Sequence, residues 1–95
     1  MVVGFGIITY RLHGCRSLKA KRKIIKAIIG QIRNHFNASV AEVGSNDAHQ
    51  KGEIGFALVG NDASEINSKM DKIVNFAEDM GLADMIDSEM EIMTL

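Results

Sequence analysis

The stretch SLKAKRKIIKAIIGQIRNHF, residues 17–36, carries the helical repeat from which the rest of the fold can be worked out. Its apolar residues recur at three- and four-residue spacing, which is typical of a helix with one buried face. Ser17 is a good N-cap, because its hydroxyl can accept hydrogen bonds from free amides of the first turn. We therefore predict a helix over residues 18–36. Its buried face comprises Leu18, Ile25, Ile28, Ile29, Ile32 and Phe36.

Strand patterns lie on both sides of this helix. Residues 2–12, 38–44, 53–60 and 85–95 are rich in β-branched, aromatic or alternating apolar residues, which predicts strands. After the third of these, the sequence DASE has the pattern of a capping box that begins a second helix, and Gly81 is well placed to end that helix. The order β-α-β-β-α-β predicts an α+β protein of the ferredoxin-like type, with a four-stranded antiparallel sheet and both helices on one face. Between helices and sheet we expect to find Ile25, Ile28, Ile32, Met70 and Ile73.

The composition is that of a small globular protein. With 95 residues, the chain should form a single domain over residues 1–95 with one modest core. Apolar residues make up 46% and charged residues 24%, a balance that excludes disorder. No apolar stretch approaches the roughly 20 residues of a membrane span, and no secretion signal is recognisable. The single cysteine, Cys15, agrees with a reducing compartment, so we expect a cytoplasmic protein that does not associate with membranes.

Charge is strongly divided along the chain, although the net charge is only −1. Residues 1–41 contain eight Lys and Arg residues and no acid, whereas residues 42–95 contain twelve Asp and Glu residues against three lysines. Such asymmetry between two halves indicates an anionic partner or internal charge pairing.

Most cations of the first half fall on one face of the predicted helix. At about 100° per residue, a group of them lies within an arc of roughly 120° opposite the isoleucines. We call this group the basic stripe, and it consists of Arg16, Lys19, Arg22, Lys23, Lys26 and Arg33. The helix macrodipole is positive at the end where the stripe begins, so these cations lower the stability of the helix. Lys21 lies on the apolar side instead, where we expect its stem along the surface and its ammonium group in water.

We interpret the basic stripe as a binding face for the phosphates of structured RNA or of a ribosome-related particle. The alternative is a homo-oligomeric protein-interaction domain in which the basic helix pairs with an acidic protein surface. A third function class is an enzyme that acts on a small anionic substrate. The stripe could also be a solvated face that a second subunit or acids of the second helix partly neutralise, namely Asp71, Glu78 and Asp79.

Catalytic and cofactor-binding patterns are not recognisable in the sequence. Cys15 stands beside Arg16 just before the helix, yet no motif pairs it with a base, so we expect no enzyme activity. Residues Glu53 and Gly55 stand where the third strand of an RNA-recognition motif needs aromatic residues, which argues against base stacking. The histidines show no metal-ligand spacing with Cys15, and they are His13, His35 and His49. We therefore expect a non-catalytic binding module without a metal or another cofactor.

One face of the predicted sheet has no helix to cover it. Phe5 or Ile7, together with Met93, would lie there in water, and small monomers rarely tolerate such a patch. We therefore expect a homodimer formed through the sheet face or through an edge strand.

Small residues mark two places of close packing. Gly4 and Gly6 in the first strand predict the close approach of another backbone or chain. Gly55, Ala57 and Val59 occupy one side of the third strand, which predicts that a helix or another sheet packs tightly there.

Three segments carry a resemblance to a known family. They are GCRSLKAKR (residues 14–22), RNHFNASVAEV (residues 33–43) and GFALVGND (residues 55–62). Together they resemble the YlxP-like family, a small bacterial domain of uncharacterised function, and the resemblance covers nearly the whole chain. It implies a ferredoxin-like fold and a bacterial cytoplasmic setting, with genes that often lie close to those for translation initiation and ribosome-maturation factors.

Two places depart from the family pattern. The loop DAHQK, residues 47–51, commonly reads like D-L-W-Q-R, so His49 replaces an aromatic residue and Lys51 replaces an arginine. His13 stands where a proline or a small residue is more usual. The family pattern has a tryptophan at the position of His49, so the resemblance does not extend to a function that depends on that tryptophan.

Overall fold

The computed structural model describes all 95 residues and has the predicted order of elements. The strands are β1 (Val2–Arg11), β2 (Ser39–Gly44), β3 (Lys51–Gly60) and β4 (Asp84–Thr94), and the helices are α1 (Leu18–His35) and α2 (Ala63–Asp79). All paired strands are antiparallel, and the order across the sheet is β2-β3-β1-β4. The predicted ferredoxin-like α+β fold is confirmed.

The core lies between the sheet and the two helices, on one side of the sheet. Alternation along β1 turns Ile8 and Tyr10 toward the helices, and Ile54 of β3 lies beside Ile8 in the ladder. The helix residues expected in this layer are each 2% exposed or less, which confirms the prediction for Ile25, Ile28, Ile32, Met70 and Ile73.

Two glycines of β1 stand where neighbouring elements come too close for a side chain. A Cβ atom on Gly4 would lie 2.5 Å from Cγ2 of Ile66 in α2. One on Gly6 would lie 2.5 Å from the carbonyl oxygen of Glu89 in β4. Both distances are well below the van der Waals separation of such atoms. The predicted close approach of another backbone is confirmed at Gly6. At Gly4 the close neighbours are side chains of α2, so α2 packs directly on β1 there.

The second helix begins and ends where the sequence predicts. Oδ1 of Asp62 accepts hydrogen bonds from the amides of Ser64 (2.9 Å) and Glu65 (3.4 Å), as an N-cap does. Gly81 has a φ of +72°, a left-handed conformation that suits glycine just after a helix. Neither α1 nor α2 is both long enough and apolar enough to cross a membrane.

The side of the sheet away from the helices is covered by no other element, and we call it the open face. Ile7 is 39% exposed there, Met93 49% and Val59 64%. The predicted uncovered apolar face is therefore confirmed. The expectation that a helix packs beside Gly55 is wrong for the helices of this chain, because both lie on the other side of the sheet. The atoms nearest to a Cβ on Gly55 would be those of the Val43 side chain, from the neighbouring strand β2.

Candidate nucleic-acid interface

The start of α1 is an exposed turn with free backbone amides. Gly14, with a φ of +72°, turns the chain after β1. Oγ of Ser17 accepts a hydrogen bond from the amide of Ala20 at 3.1 Å, so the predicted N-cap is confirmed. The amides of Leu18 and Lys19 have no partner within the helix, and the first turn contains no acid. This end of α1 is therefore positive through its dipole and through its side chains.

All residues of the basic stripe are exposed. The chain has two ion pairs, His13 with Asp84 and Lys21 with Glu42, and neither involves the stripe. The acids of α2 that the sequence offered for neutralisation form no ion pair with it either, and these are Asp71, Glu78 and Asp79. The stripe is therefore a surface of positive charge without an acidic partner in this chain.

Arg33 differs from the other residues of the stripe. Its Nη2 donates a hydrogen bond to the carbonyl oxygen of Val40 at 2.6 Å, which ties the end of α1 to β2. It also lies about 10 Å farther along the helix than Lys26, at 1.5 Å per residue. The cations from Lys19 to Lys26 span about 10 Å, with Arg16 just before them, and they form the compact part of the stripe.

Lys21 has a structural task that separates it from the stripe. Its side chain is 1% exposed, so the expectation that its ammonium group lies in water is wrong. Nζ donates hydrogen bonds to the carbonyl oxygens of Ser45 and, at 2.8 Å, of Ala48. These carbonyls belong to the β2–β3 loop, which folds back over α1. Helical periodicity cannot reveal such a tertiary contact.

Glu42 completes this buried cluster through charge. Its Oε2 atom lies 3.3 Å from Nζ of Lys21, but the contact lacks hydrogen-bond geometry and Oε2 accepts no hydrogen bond. The carboxylate still balances the charge of the buried ammonium group. The sequence contains one signal for this pair, because Glu42 is the first acid of the chain and follows a long run of cations.

The division of charge along the sequence becomes a division of charge in space. α1 packs over β2 and β3, whereas α2 packs mainly over β1 and β4. Three acids of β4 alternate onto the open face along one edge of the sheet, and we call Asp87, Glu89 and Glu91 the acidic row. The basic stripe and the acidic row therefore lie on opposite sides of the domain.

Cys15 and His13, the candidates for nucleophile and base, do not meet. Cys15 is buried in the turn before α1, and its thiol donates to the carbonyl oxygen of Ser17 at 3.6 Å. His13 is exposed, and its Nε2 lies 2.7 Å from a carboxylate oxygen of Asp84. The structure thus directs His13 toward β4 and away from the thiol.

The other histidines lie apart from each other. The ring of His35 packs against Phe76 of α2 with centroids 4.3 Å apart, at the end of α1. His49 is exposed in the β2–β3 loop. No group of three or more His, Cys, Asp or Glu side chains is arranged to hold a metal ion.

The antiparallel sheet with two helices on one face defines a ferredoxin-like α+β domain. One of these helices, α1, exposes a row of cations that form no ion pair. The sequence profile of a family described as "Protein of unknown function (DUF503)" matches residues 3–90, so the chain belongs to this family. The chain is also similar to the uncharacterized protein YlxP of Bacillus subtilis (strain 168), with 27% identity over 77 residues, which are 81% of this chain and 84% of the relative. The resemblance to the YlxP-like family is therefore confirmed.

Solved structures share the fold at low sequence identity. The de novo designed protein Foldit4 is 14% identical, with a TM-score of 0.53 over 99% of this chain and 97% of its own. At3g17210 from Arabidopsis thaliana is 12% identical, with a TM-score of 0.53 over 98% of this chain and 94% of its own. The putative chlorite dismutase TA0507 is 12% identical, with a TM-score of 0.51 over 97% of this chain and 44% of its own. At these identities the similarity supports the fold alone.

Proposed function

We propose that this protein binds structured RNA, free or within a ribosome-related particle, through contacts between the basic stripe and phosphate groups. The observation that carries the proposal is the exposure of unpaired cations at a helix start whose dipole is also positive, at Arg16, Lys19, Arg22, Lys23 and Lys26. Cations there lower the stability of the free helix, and a bound phosphate turns the same arrangement into an attraction. The role is binding without catalysis, and its setting is the cytoplasm.

The residues of the basic stripe and of the open face favour recognition of RNA through its phosphates over recognition through its bases. The basic stripe includes no aromatic residue on which a base can stack. On the open face, Glu53 and Gly55 occupy the third-strand positions where an RNA-recognition motif carries aromatic residues. The acidic row of β4, on the same face, repels a phosphate backbone. We therefore expect RNA affinity that depends little on base sequence.

The number of cations sets the expected salt dependence. Each phosphate contact steepens the fall of log K with log salt concentration by about 0.7 to 0.9. The compact part of the stripe has five cations, so full engagement predicts a slope of about −3.5 to −4.5. Arg33 adds less, because its guanidinium group already donates to the backbone of β2.

The test compares two double variants with the same change in net charge. Lys23→Glu with Lys26→Glu alters the stripe, and Lys69→Glu with Lys72→Glu alters exposed lysines of α2. Fluorescence anisotropy with one labelled RNA hairpin and one scrambled-sequence hairpin gives the affinity at several salt concentrations between about 50 mM and about 200 mM. We expect the stripe variant to lose affinity equally for both hairpins and its salt slope to fall by about 2 in magnitude.

The control variant decides between a specific surface and general charge. The proposal requires that Lys69→Glu with Lys72→Glu retains most of the affinity. Equal losses in both double variants would show that only net charge matters, and unchanged affinity in the stripe variant would reject the stripe as the binding face. Circular dichroism of both variants establishes that each keeps the fold.

The alternative function is pairing of the basic helix with an acidic protein surface. Within this chain, the acidic row is one such surface. α1 of one copy would then contact β4 of the next. Such a contact joins two different surfaces, and unless its rotation closes a ring it propagates into an open filament. Loss of self-association in the Lys23→Glu, Lys26→Glu variant, without any RNA affinity in the wild type, would favour this function over RNA binding.

A further inference from the structure

The open face carries a ridge of large apolar side chains beside a groove of small ones. Val3, Phe5 and Ile7 of β1 form the ridge, and Ala57 and Gly55 of β3 line the groove. The register pairs Phe5 with Ala57 and Ile7 with Gly55, so ridge and groove run side by side along two neighbouring strands. A depression of about 290 Å³ occupies the groove, lined in part by Ile7, Ser39, Ala41, Val43, Gly55 and Ala57.

We propose that the open face binds a second copy of this chain, related by a two-fold axis that runs parallel to the strands between β1 and β3. This rotation places β1 of each copy on β3 of the other at the same level along the strands. Phe5 then lies over Ala57 of the second copy, and Ile7 lies at the level of Gly55 of the second copy, against the Val43 side chain that leans over this glycine. The ridge of each copy thus packs into the groove of the other, so the same contact occurs twice, as a two-fold interface requires. The inference goes beyond RNA binding and does not depend on it.

The acidic row fixes the direction of the axis. An axis perpendicular to the strands would stack β4 on β4 and bring the acidic rows of the two copies together, which is repulsive. An axis parallel to the strands stacks β4 over β2, whose residues on the open face carry no charge, namely Ser39, Ala41 and Val43. Face-to-face sheets cross at about 30°. Because acids occupy three successive outward positions of β4, a carboxylate stays opposite Ala41 in spite of that angle.

The size and chemistry of the face suit a modest dimer. Strands about 4.8 Å apart and up to about ten residues long, at 3.3 Å per residue, make a face of roughly 600 Å² per copy. Two copies together bury about 1,200 Å², at the lower end of specific interfaces. Arg11 and Lys51 share one level at the end of the sheet, so the parallel axis brings Arg11 toward Lys51 of the second copy. Both cations are exposed and lie outside the apolar centre, where salt screens their repulsion. An apolar centre with an acidic edge is unsuited to nucleic acid, whose sites are strongly positive.

Sedimentation velocity of the full chain over a range of concentrations tests the inference. We expect the wild type to be a dimer at high micromolar concentration and to dissociate on dilution. Ala41→Glu adds a carboxylate to an exposed position of β2 that faces Glu89 of the second copy, and we expect it to weaken dimerisation at least tenfold. Adding Glu89→Lys to Ala41→Glu should restore the dimer, because opposite charges then face each other. Asn67→Glu, the same charge change on an exposed position of α2, should leave the dimer unchanged.

Several results would overturn the inference. One is a wild type that stays monomeric at high micromolar concentration, and another is unchanged dimerisation of Ala41→Glu. Failure of Glu89→Lys to restore the dimer would exclude the parallel axis. Circular dichroism at low concentration shows whether each variant keeps the fold. If Ala41→Glu does not fold, Ser39→Glu with Glu91→Lys repeats the test one step along the strands, since the register places these residues at one level.

Discussion

The basic stripe on α1 and the open face of the sheet are two exposed surfaces on opposite sides of the domain, and they differ in charge, polarity and shape. The stripe acts through charge, which reaches over several ångströms, is screened by salt and tolerates changes of shape. The open face acts through apolar area, which requires contact, depends on shape and is insensitive to moderate salt. If the stripe binds RNA and the open face binds a second copy, raising the salt concentration should weaken RNA binding while leaving self-association intact. Under these two proposals, one domain would bind two partners of different chemistry on its two sides.

The largest effect on stability is expected for a residue of the core that supports both surfaces. Ile28 of α1 is fully buried, on the side of the helix away from the stripe. Ile28→Ala should lower the free energy of unfolding by about 2–5 kcal/mol, because it removes buried methyl groups and leaves a cavity. Urea unfolding measures the change, and Lys23→Ala on the outer side of the same helix should stay within about 0.5 kcal/mol. A loss below about 1 kcal/mol for Ile28→Ala would contradict the packing described for the helix layer.

The next prediction compares the stability effects of the same substitution, Lys→Met, on the buried side and on the exposed side of α1. Lys21→Met keeps the buried stem but leaves the carbonyls of Ser45 and Ala48 without a donor, so we expect a loss of about 1–3 kcal/mol. Lys23→Met on the stripe should change stability by no more than about 0.5 kcal/mol. Chemical denaturation of both variants gives the comparison. Adding Glu42→Gln to Lys21→Met should recover part of the loss, since an unbalanced carboxylate is removed. Equal stability of the two lysine variants would refute a structural role for Lys21.

Tyr10 provides a reference that belongs to neither surface. Its hydroxyl donates to the carbonyl oxygen of Ala77 at 3.1 Å, and Tyr10→Phe should cost about 0.5–1.5 kcal/mol at neutral pH. Burial, and after it the negative charge of Glu78, raise the pKa of Tyr10 from 10.0 to about 12. Because the folded pKa lies above the unfolded one, this contribution is complete below pH 10 and is lost as the pH rises from 10 toward 12.

Unfolding experiments from neutral pH to pH 11.5 therefore distinguish Tyr10 from other groups that titrate in the same range. The wild type should lose stability above pH 10 more steeply than Tyr10→Phe, and the difference between the two curves should shrink as pH rises. Parallel curves across the whole range would show that the hydroxyl does not titrate as the burial requires.

The smallest expected effect concerns the cations themselves. Lys23→Glu with Lys26→Glu removes the repulsion in the i,i+4 pairs Lys19/Lys23 and Arg22/Lys26 of α1, so the free protein should become more stable, by about 0.5 kcal/mol or less. The melting temperature at low salt measures this gain, which high salt should abolish. A decrease of more than about 1 kcal/mol would instead place these lysines in an ionic network that stabilises the fold or an assembly.

Periodicity was sufficient to predict the architecture. The three- and four-residue spacing around Ile28 and the alternation in β3 each predict an element by themselves, and the order of elements leaves few topologies. Ser17, Asp62 and Gly81 were also predictable, because capping chemistry is local in sequence. The basic stripe follows from the same helical geometry, so its exposure could be anticipated.

Contacts between distant segments could not be predicted in the same way. The burial of Lys21 depends on where the β2–β3 loop folds, and the bond from Arg33 to Val40 depends on how α1 crosses β2. Both side chains are long enough to reach either water or backbone, and helical periodicity does not decide between these outcomes. The small side of β3 was open to two explanations for a similar reason. The small residues of β3 would face the helices if these packed on that side of the sheet, and they face away from the helices in the observed fold.

The one-sided placement of the helices determines the valency of the molecule. If a second copy covers the open face, the two basic stripes point away from each other, with the α1 axes about 30 Å apart, at about 10 Å per layer. A monomer then offers RNA a single site, whereas the dimer is divalent. A second stripe that meets an already tethered RNA works at a high effective concentration, and overall avidity can rise by about 10²–10⁴ when the geometry allows both sites to engage. The RNA that profits most is therefore one that presents two phosphate tracks to opposite faces of the dimer, such as two arms of a folded RNA or two separate molecules.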